Sequence, residues 1–262
     1  MITSANNTQV KNIIQLNQKA KARREQGVFV AEGRKMFGEA PKDWISRVYV
    51  TESLTADESL MKQVMELPEE KREIVADNVF RQMCDTRTPQ GILTVLKKPV
   101  WTVEDILKGD APLVMVLEDL QDPGNAGTIF RTGEGAGVSG VFLTKTCVDI
   151  TNPKVIRSTM GSVYRMPFLY VEDVVSLKAE LEQKGIRTFA AHLKGKNSYD
   201  QEDYQGGTAF LIGNEGNGLT DEITALADHK IKIPMKGKVE SLNAAVSATI
   251  LMYETMRQRE FM

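Results

Sequence analysis

Along this chain short apolar runs, typical of buried strands, alternate with segments whose apolar residues recur at helical spacing. Between Thr8 and Gln26, Val10, Ile13, Ile14 and Leu16 share one helical face, polar and basic residues take the others, and Gly27 supplies a stop. The pattern then predicts a strand at Val28–Ala31, a helix from about Glu32, a strand at Arg47–Val50, a helix after Asp57, and strands near Ile74 and at Ile92–Leu96. That order predicts a small α/β domain.

Lys98, Pro99, Lys108, a Gly-Asp pair and an acidic stretch separate Lys97 from Pro112, after which Leu113–Leu117 is a continuous apolar run. A boundary here divides the chain into a first domain at 1–98, a linker at 99–111 and a second domain at 112–262. In the second, predicted strands at Leu113–Leu117, Val141–Thr144, Phe168–Val171, Thr188–Ala191, Ala209–Ile212 and Lys230–Ile233 interleave with helices near Ala126–Gly135, from Asn152 with Pro153 in its first turn, and over Val174–Leu181. A helix from about Leu242 to Arg257 follows. This regular interleaving implies a mostly parallel sheet covered on both faces.

Composition narrows the class. The 42% apolar and 26% charged residues are ordinary for a globular protein, which excludes disordered and fibrous classes. No run of 18 apolar residues occurs and the first residues lack a secretory pattern, so no membrane partner and a cytoplasmic location are expected. Cys84 and Cys147 stand apart without Cys or His neighbours, which predicts no metal site and two buried thiols. The net charge of −2 conceals a local balance of +5 over residues 1–35, where Lys11, Lys19, Lys21, Arg23, Arg24, Arg34 and Lys35 face only Glu25 and Glu32. Such clusters attract phosphates.

Two glycine-rich stretches invite a ligand. Gly133-Glu-Gly135-Ala-Gly137 partly matches a dinucleotide fingerprint, but Val138 replaces the third glycine and the stretch ends a helix instead of following a strand. Gly213-Asn-Glu215-Gly216-Asn-Gly218 follows a strand and precedes a helix capped at Thr220. It has no Gly-Lys-Ser/Thr, and Asp221 and Glu222 in that helix's first turn disfavour a phosphate, so a neutral or cationic ligand suits it better. Three strand-end loops, at 118–127, 213–219 and 234–242, therefore converge on one candidate site. His192 and His229 belong to none of them and read as ordinary surface or core residues.

These loops carry a resemblance. Asp122-Pro-Gly-Asn125-Ala-Gly127-Thr-Ile-Phe-Arg131-Thr, Leu211-Ile-Gly213-Asn-Glu215-Gly-Asn-Gly218-Leu and Ile233-Pro-Met-Lys-Gly-Lys-Val-Glu-Ser241-Leu-Asn243-Ala-Ala resemble, in order and spacing, motifs 1, 2 and 3 of the SpoU (TrmH-type) RNA ribose methyltransferases. Gly27-Val-Phe-Val-Ala-Glu32-Gly33 and Thr88-Pro89-Gln90-Gly91-Ile92 resemble the ribosomal-protein-like substrate-binding domain that often precedes them. The resemblance implies an α/β fold with a C-terminal trefoil knot, a homodimer, and transfer of a methyl group from S-adenosylmethionine to a ribose 2′-hydroxyl. It favours ribosomal RNA over transfer RNA; a non-catalytic RNA-binding assembly factor is the rival of another class. By the same likeness Leu211, Gly213, Gly218, Ile233 and Leu242 bind the cofactor, and Arg131, Asn125, Glu215, Ser241 and Asn243 form the catalytic set. Within it, Arg131 fixes a phosphate and stabilises a developing alkoxide, while Glu215 pairs with Arg131 or braces its loop. Ser241 also satisfies the rule for a helix N-cap.

Overall fold

A computed structural model describes residues 1–261, with side chains through Glu260. The chain forms two compact units. Met1–Val100 and Asp149–Tyr164 make the first; Trp101–Val148 and the residues from Arg165 onward make the second.

The first unit contains α1 (Thr8–Gln18), α2 (Ala20–Gln26), β1 (Val28–Glu32), α3 (Arg34–Glu39), β2 (Ile45–Thr51), α4 (Glu58–Met65), β3 (Arg72–Val75), α5 (Asp77–Met83) and β4 (Ile92–Lys97). Its sheet runs β1-β4-β2-β3, with β4 antiparallel to both neighbours and β2 parallel to β3. Val10, Ile13 and Leu16 of α1 are buried against Phe80 and Met83 of α5 and Val30 and Leu93 of the sheet, as the helical spacing requires. The single helix expected over Thr8–Gln26 is broken at Lys19, whose backbone is extended (φ −122°, ψ 112°). The cause is Arg23: its buried guanidinium donates to the Leu16 carbonyl (2.7 Å), taking up an acceptor that a continued helix would have used.

Arg23 also carries an ion pair at 2.8 Å to Asp149. Asp149 opens a segment containing α8 (Pro153–Thr159), which packs on β1. Arg157 bonds Asp85 (3.2 Å) and the Tyr164 hydroxyl donates to the Met36 carbonyl (3.0 Å). The sequence reading placed this segment wholly in the second domain; its burial and its buried charge partner instead place it in the first unit.

The second unit contains α6 (Val103–Ile106), β5 (Leu113–Leu117), α7 (Pro123–Gly135), β6 (Gly140–Thr144), β7 (Phe168–Val171), α9 (Val174–Gln183), β8 (Arg187–Ala191), β9 (Asn197–Ser198), β10 (Thr208–Ile212), α10 (Asp221–Leu226), β11 (His229–Lys232) and α11 (Ala244–Phe261). The strand order is β7-β6-β5-β10-β8-β11-β9, and every pairing is parallel. All five residues of β5 and of β10 are buried, as expected of central strands covered on both faces. From β5 the chain leaves toward β6; from the adjacent β10 it leaves toward β11. Their carboxyl ends therefore flank a topological switch point, where α/β sheets form their ligand crevice. Among the described residues no helix is long and apolar enough to cross a membrane.

Candidate active site

The crevice is held together by side chains of the loops after β5 and β10 and of the turn before α11. Buried Glu118, at the end of β5, accepts from the Thr220 backbone N–H (2.9 Å) and hydroxyl (2.7 Å), fixing the residue that caps α10. Asp119 adopts a left-handed backbone (φ 50°), a conformation costing about 1–2 kcal/mol for an L-residue and tolerated best by Asp and Asn. In return its carbonyl accepts from the Asn214 side-chain amide (2.8 Å) and its N–H donates to the Thr144 hydroxyl (3.0 Å).

Glu215 then reaches back to the β5 loop. Its carboxylate accepts from the Asp122 N–H (2.9 Å), the Gln121 N–H (3.2 Å) and the Asn125 side-chain amide (3.0 Å). Burial opposes its ionisation, but these hydrogen bonds, that from Asn125 foremost, outweigh burial and hold the carboxyl below its ordinary value. Asn125 completes the chain by accepting from the Asn243 side-chain amide (2.8 Å). Asn125 of the first turn of α7, Glu215 of the loop after β10 and Asn243 of the turn before α11 thus form one hydrogen-bonded line.

Asn243 has a second task. Its side-chain oxygen accepts from the Ala245 N–H (2.9 Å), so Asn243, not Ser241, caps α11. Ser241 is exposed and free of that duty; it lines the cavity described below.

Arg131 takes no part in that line and is not among the residues that line the cavity. Helix α7 begins at Pro123, earlier than expected, with Asp122 as its cap, so Asn125 is already helical and faces inward with Ile129 and Phe130. Arg131 emerges on the exposed face and, among the described residues, makes no hydrogen bond or ion pair. Of the two roles open to Glu215, the structure supports bracing and not pairing with Arg131.

Beside this line lies a cavity of about 350 Å³, within the range of about 300–1,000 Å³ usual for small-molecule sites. Its walls come from the loop after β10, the end of β11 with Ile233, the entry to α11, and Ala191–Lys194 after β8. Gly213, Gly218, Ile233 and Leu242 line it; Leu211 does not, being buried in the sheet core with Val116 and Ala209. The glycines serve different ends. A Cβ on Gly213 would stand 2.1 Å from the Gly218 carbonyl carbon, so Gly213 is required by close approach, whereas Gly218 takes a positive φ of 71°. Between them Asn214 and Gly218 exchange two backbone hydrogen bonds (3.1 and 2.9 Å) that close the loop on itself.

The β8 loop was missed by motif reading, and His192 and Lys194 line the cavity. Its signal was Gly195: a Cβ there would lie 2.4 Å from the Ile231 carbonyl carbon, so the chain passes directly against β11.

The cavity suits S-adenosylmethionine. Its glycine cradle leaves backbone groups exposed to an adenosine, its walls are largely apolar, and carboxylate Glu215 rather than a phosphate-binding loop stands at one end, compatible with a cationic ligand. Among the described residues no group of three or more His, Cys, Asp or Glu is placed to hold a metal ion.

Comparison with known proteins places these features in context. Residues 112–253 match the SpoU rRNA Methylase family and residues 7–94 match the MRM3-like substrate binding domain. The chain is 32% identical to an uncharacterized tRNA/rRNA methyltransferase of Synechocystis sp., over 98% of this chain and 94% of that one. It is also 32% identical to the 23S rRNA (guanosine(2553)-2′-O)-methyltransferase RlmP of Bacillus subtilis, over 96% of this chain and 97% of that one. The AdoMet-bound rRNA methyltransferase from Sinorhizobium meliloti superposes with a TM-score of 0.85 at 28% identity, covering 100% of this chain and 98% of its own.

Proposed function

This chain belongs to the SpoU rRNA methylase family, and we propose that it transfers a methyl group from S-adenosylmethionine to a ribose 2′-hydroxyl of ribosomal RNA. The observation that carries this reading is the glycine-cradled cavity at the carboxyl end of β10, walled by the ends of β8 and β11 and the entry to α11, with the Glu215–Asn125–Asn243 line beside it. Ribosomal RNA is the substrate named for the B. subtilis relative, whose chain matches this one nearly end to end.

When bound, the cofactor supplies a methyl already activated on a sulfonium. The protein's part is to hold the ribose oxygen in line with it and favour departure of the hydroxyl proton. Gly213, Gly218, Ile233 and Leu242 would hold the cofactor through main-chain groups and apolar walls. Arg131 presents an exposed guanidinium that has no partner among the described residues, free to grip a phosphate in bidentate fashion and offset charge growing on the 2′-oxygen. A guanidinium keeps its proton in proteins, so its role is electrostatic and the hydroxyl proton leaves to solvent or to a phosphate oxygen. Ser241, on the cavity wall, is placed to meet the nucleotide.

We further propose that the first unit contributes RNA affinity, that the passage of Gly195 against β11 belongs to a trefoil knot, and that the protein is a cytoplasmic homodimer. Exposed Val246 and Tyr253, seven residues apart on one face of α11, support self-association. The test is mass mapping of ribose methylation in ribosomal RNA from cells lacking the gene, with restoration by the purified protein and S-adenosylmethionine. Loss and restoration of one 2′-O-methyl group is the expected result; an unchanged map, with no transfer in vitro, overturns the proposal.

A further inference from the structure

The first unit's basic residues are less available than their number suggests. Arg23 is buried on Asp149, Arg34 pairs with Asp57, Lys21 with Glu25 and Lys35 with Glu39. A denser basic surface lies on the second unit. Residues 191–198 and 229–239 contain six lysines, Lys194, Lys196, Lys230, Lys232, Lys236 and Lys238, and no acid. All six are exposed, and among the described residues none has a carboxylate partner.

The fold gathers them onto one edge. The His192 N–H donates to the Ile231 carbonyl (2.9 Å), Gly195 lies against Ile231 and Lys232, and β9 pairs Asn197 with Ile231 and Ser198 with Lys232. In β11 Ile231 is buried while Lys230 and Lys232 are exposed, so both lysines share the face turned to solvent. Glu202, a carboxylate beside that edge, is engaged by the Asn197 side chain (2.7 Å) and by His229 (3.5 Å). Lys194 and Lys232 reach the cavity itself.

Six uncompensated ammonium groups call for a polyanion. The cofactor does not fit that demand, because it carries a single carboxylate and no phosphate. RNA does. Resting on the reading that this chain methylates RNA, we propose that the edge formed by the β8 loop, β11 and the loop after it is a track for the RNA backbone on the catalytic unit, holding the strand beside the methylated nucleotide.

The test compares the full-length protein with a triple variant, Lys196→Gln with Lys230→Gln and Lys236→Gln, which spares every residue lining the cavity. The probe is large-subunit ribosomal RNA transcribed in vitro, bound across a series of salt concentrations, with S-adenosylmethionine affinity measured by calorimetry. Each lost phosphate contact flattens the salt dependence by about 0.7 for single-stranded RNA, so the slope should flatten by about 2 and affinity at moderate salt fall at least about tenfold. Cofactor affinity should stay within about twofold, because none of the three substituted lysines lines the cavity. The matching triple Lys→Arg variant should bind RNA like the unaltered protein, since a phosphate accepts either cation. Unchanged RNA affinity and slope would overturn the proposal, as would lost cofactor affinity with the RNA slope intact. If the glutamine triple does not fold, Lys230→Gln alone must still flatten the slope. An inactive unaltered protein would sink the methyltransferase reading, while the binding slopes would still decide the track.

Discussion

Replacing Gly213 by alanine adds one methyl group where the structure has no room for it. The new Cβ would stand 2.1 Å from the Gly218 carbonyl carbon and 2.2 Å from the Leu219 nitrogen, both backbone atoms that no side-chain rotation can move aside. Ordinary carbon contacts lie at about 3.5–4.0 Å, so the two strands of the loop must part by about 1.4 Å or more. Overpacking of this kind costs about 1–3 kcal/mol. The displacement also stretches the paired Asn214–Gly218 hydrogen bonds, each worth about 0.5–1.5 kcal/mol net. Even about 2 kcal/mol charged to the binding-competent loop weakens cofactor binding roughly 30-fold, at about 1.4 kcal/mol per decade. Calorimetric titration with S-adenosylmethionine measures this, after circular dichroism has shown the variant folded. Gly216→Ala is the internal control: its Cβ meets only the Asn214 side-chain oxygen, at 3.5 Å, and its affinity should stay within about threefold. If Gly213→Ala binds like the unaltered protein, or if both variants lose affinity equally, close approach is not what the first glycine is for.

Arg131→Ala should abolish or greatly reduce methyl transfer with cofactor affinity within a few fold, and Arg131→Lys should stay poor because the bidentate grip is lost; near-normal transfer by either would remove Arg131 from the mechanism. The fold favours ionised Glu215, so its bracing is complete above the ordinary value of 4.5 and fades as pH falls below it. Cofactor affinity of the unaltered protein should therefore hold from pH 8 to pH 5 and drop below about 4.5, whereas Glu215→Gln should be weaker throughout and lack that step. Asp149→Ala leaves the buried Arg23 guanidinium without its partner, a loss of about 3–5 kcal/mol in urea unfolding of the first unit. Tyr253→Asp should shift a dimer to monomer in light scattering.

A central parallel strand must be apolar along its whole length, and Leu113–Leu117 was read to the residue on that ground; Phe168–Val171, an edge strand with only Phe168 buried, was legible from its apolar and aromatic run. The helix at Pro153 was legible from its Asn152 cap. What escaped depended on partners distant in sequence. Nothing near Lys19 announces that Arg23 takes the end of α1, and nothing near Ser241 tells that Asn243, two residues on, both caps α11 and bonds Asn125. Motif likeness assigns the main chain of Leu211 to the cofactor; its side chain packs in the core with Val116 and Ala209, and the residue is not part of the cavity wall. Charge counting over residues 1–35 credited Arg23 to the surface when it is 3% exposed. The β8 loop went unread because a single glycine is a weak signal until the strand it presses on is known.

The residence of Asp149–Tyr164 in the first unit sets an order on synthesis. A ribosome that has just finished β4 has made the whole four-stranded sheet but none of α8 and no counterion for Arg23. At about 5–20 residues per second, roughly 3–13 seconds pass before Tyr164 is added. During that interval β1 has one side uncovered and the nascent unit is a sticky, half-closed body in need of shielding. The amino-terminal half of this protein is thus the first to begin folding, yet it becomes whole only after the first strands of the catalytic sheet have been made.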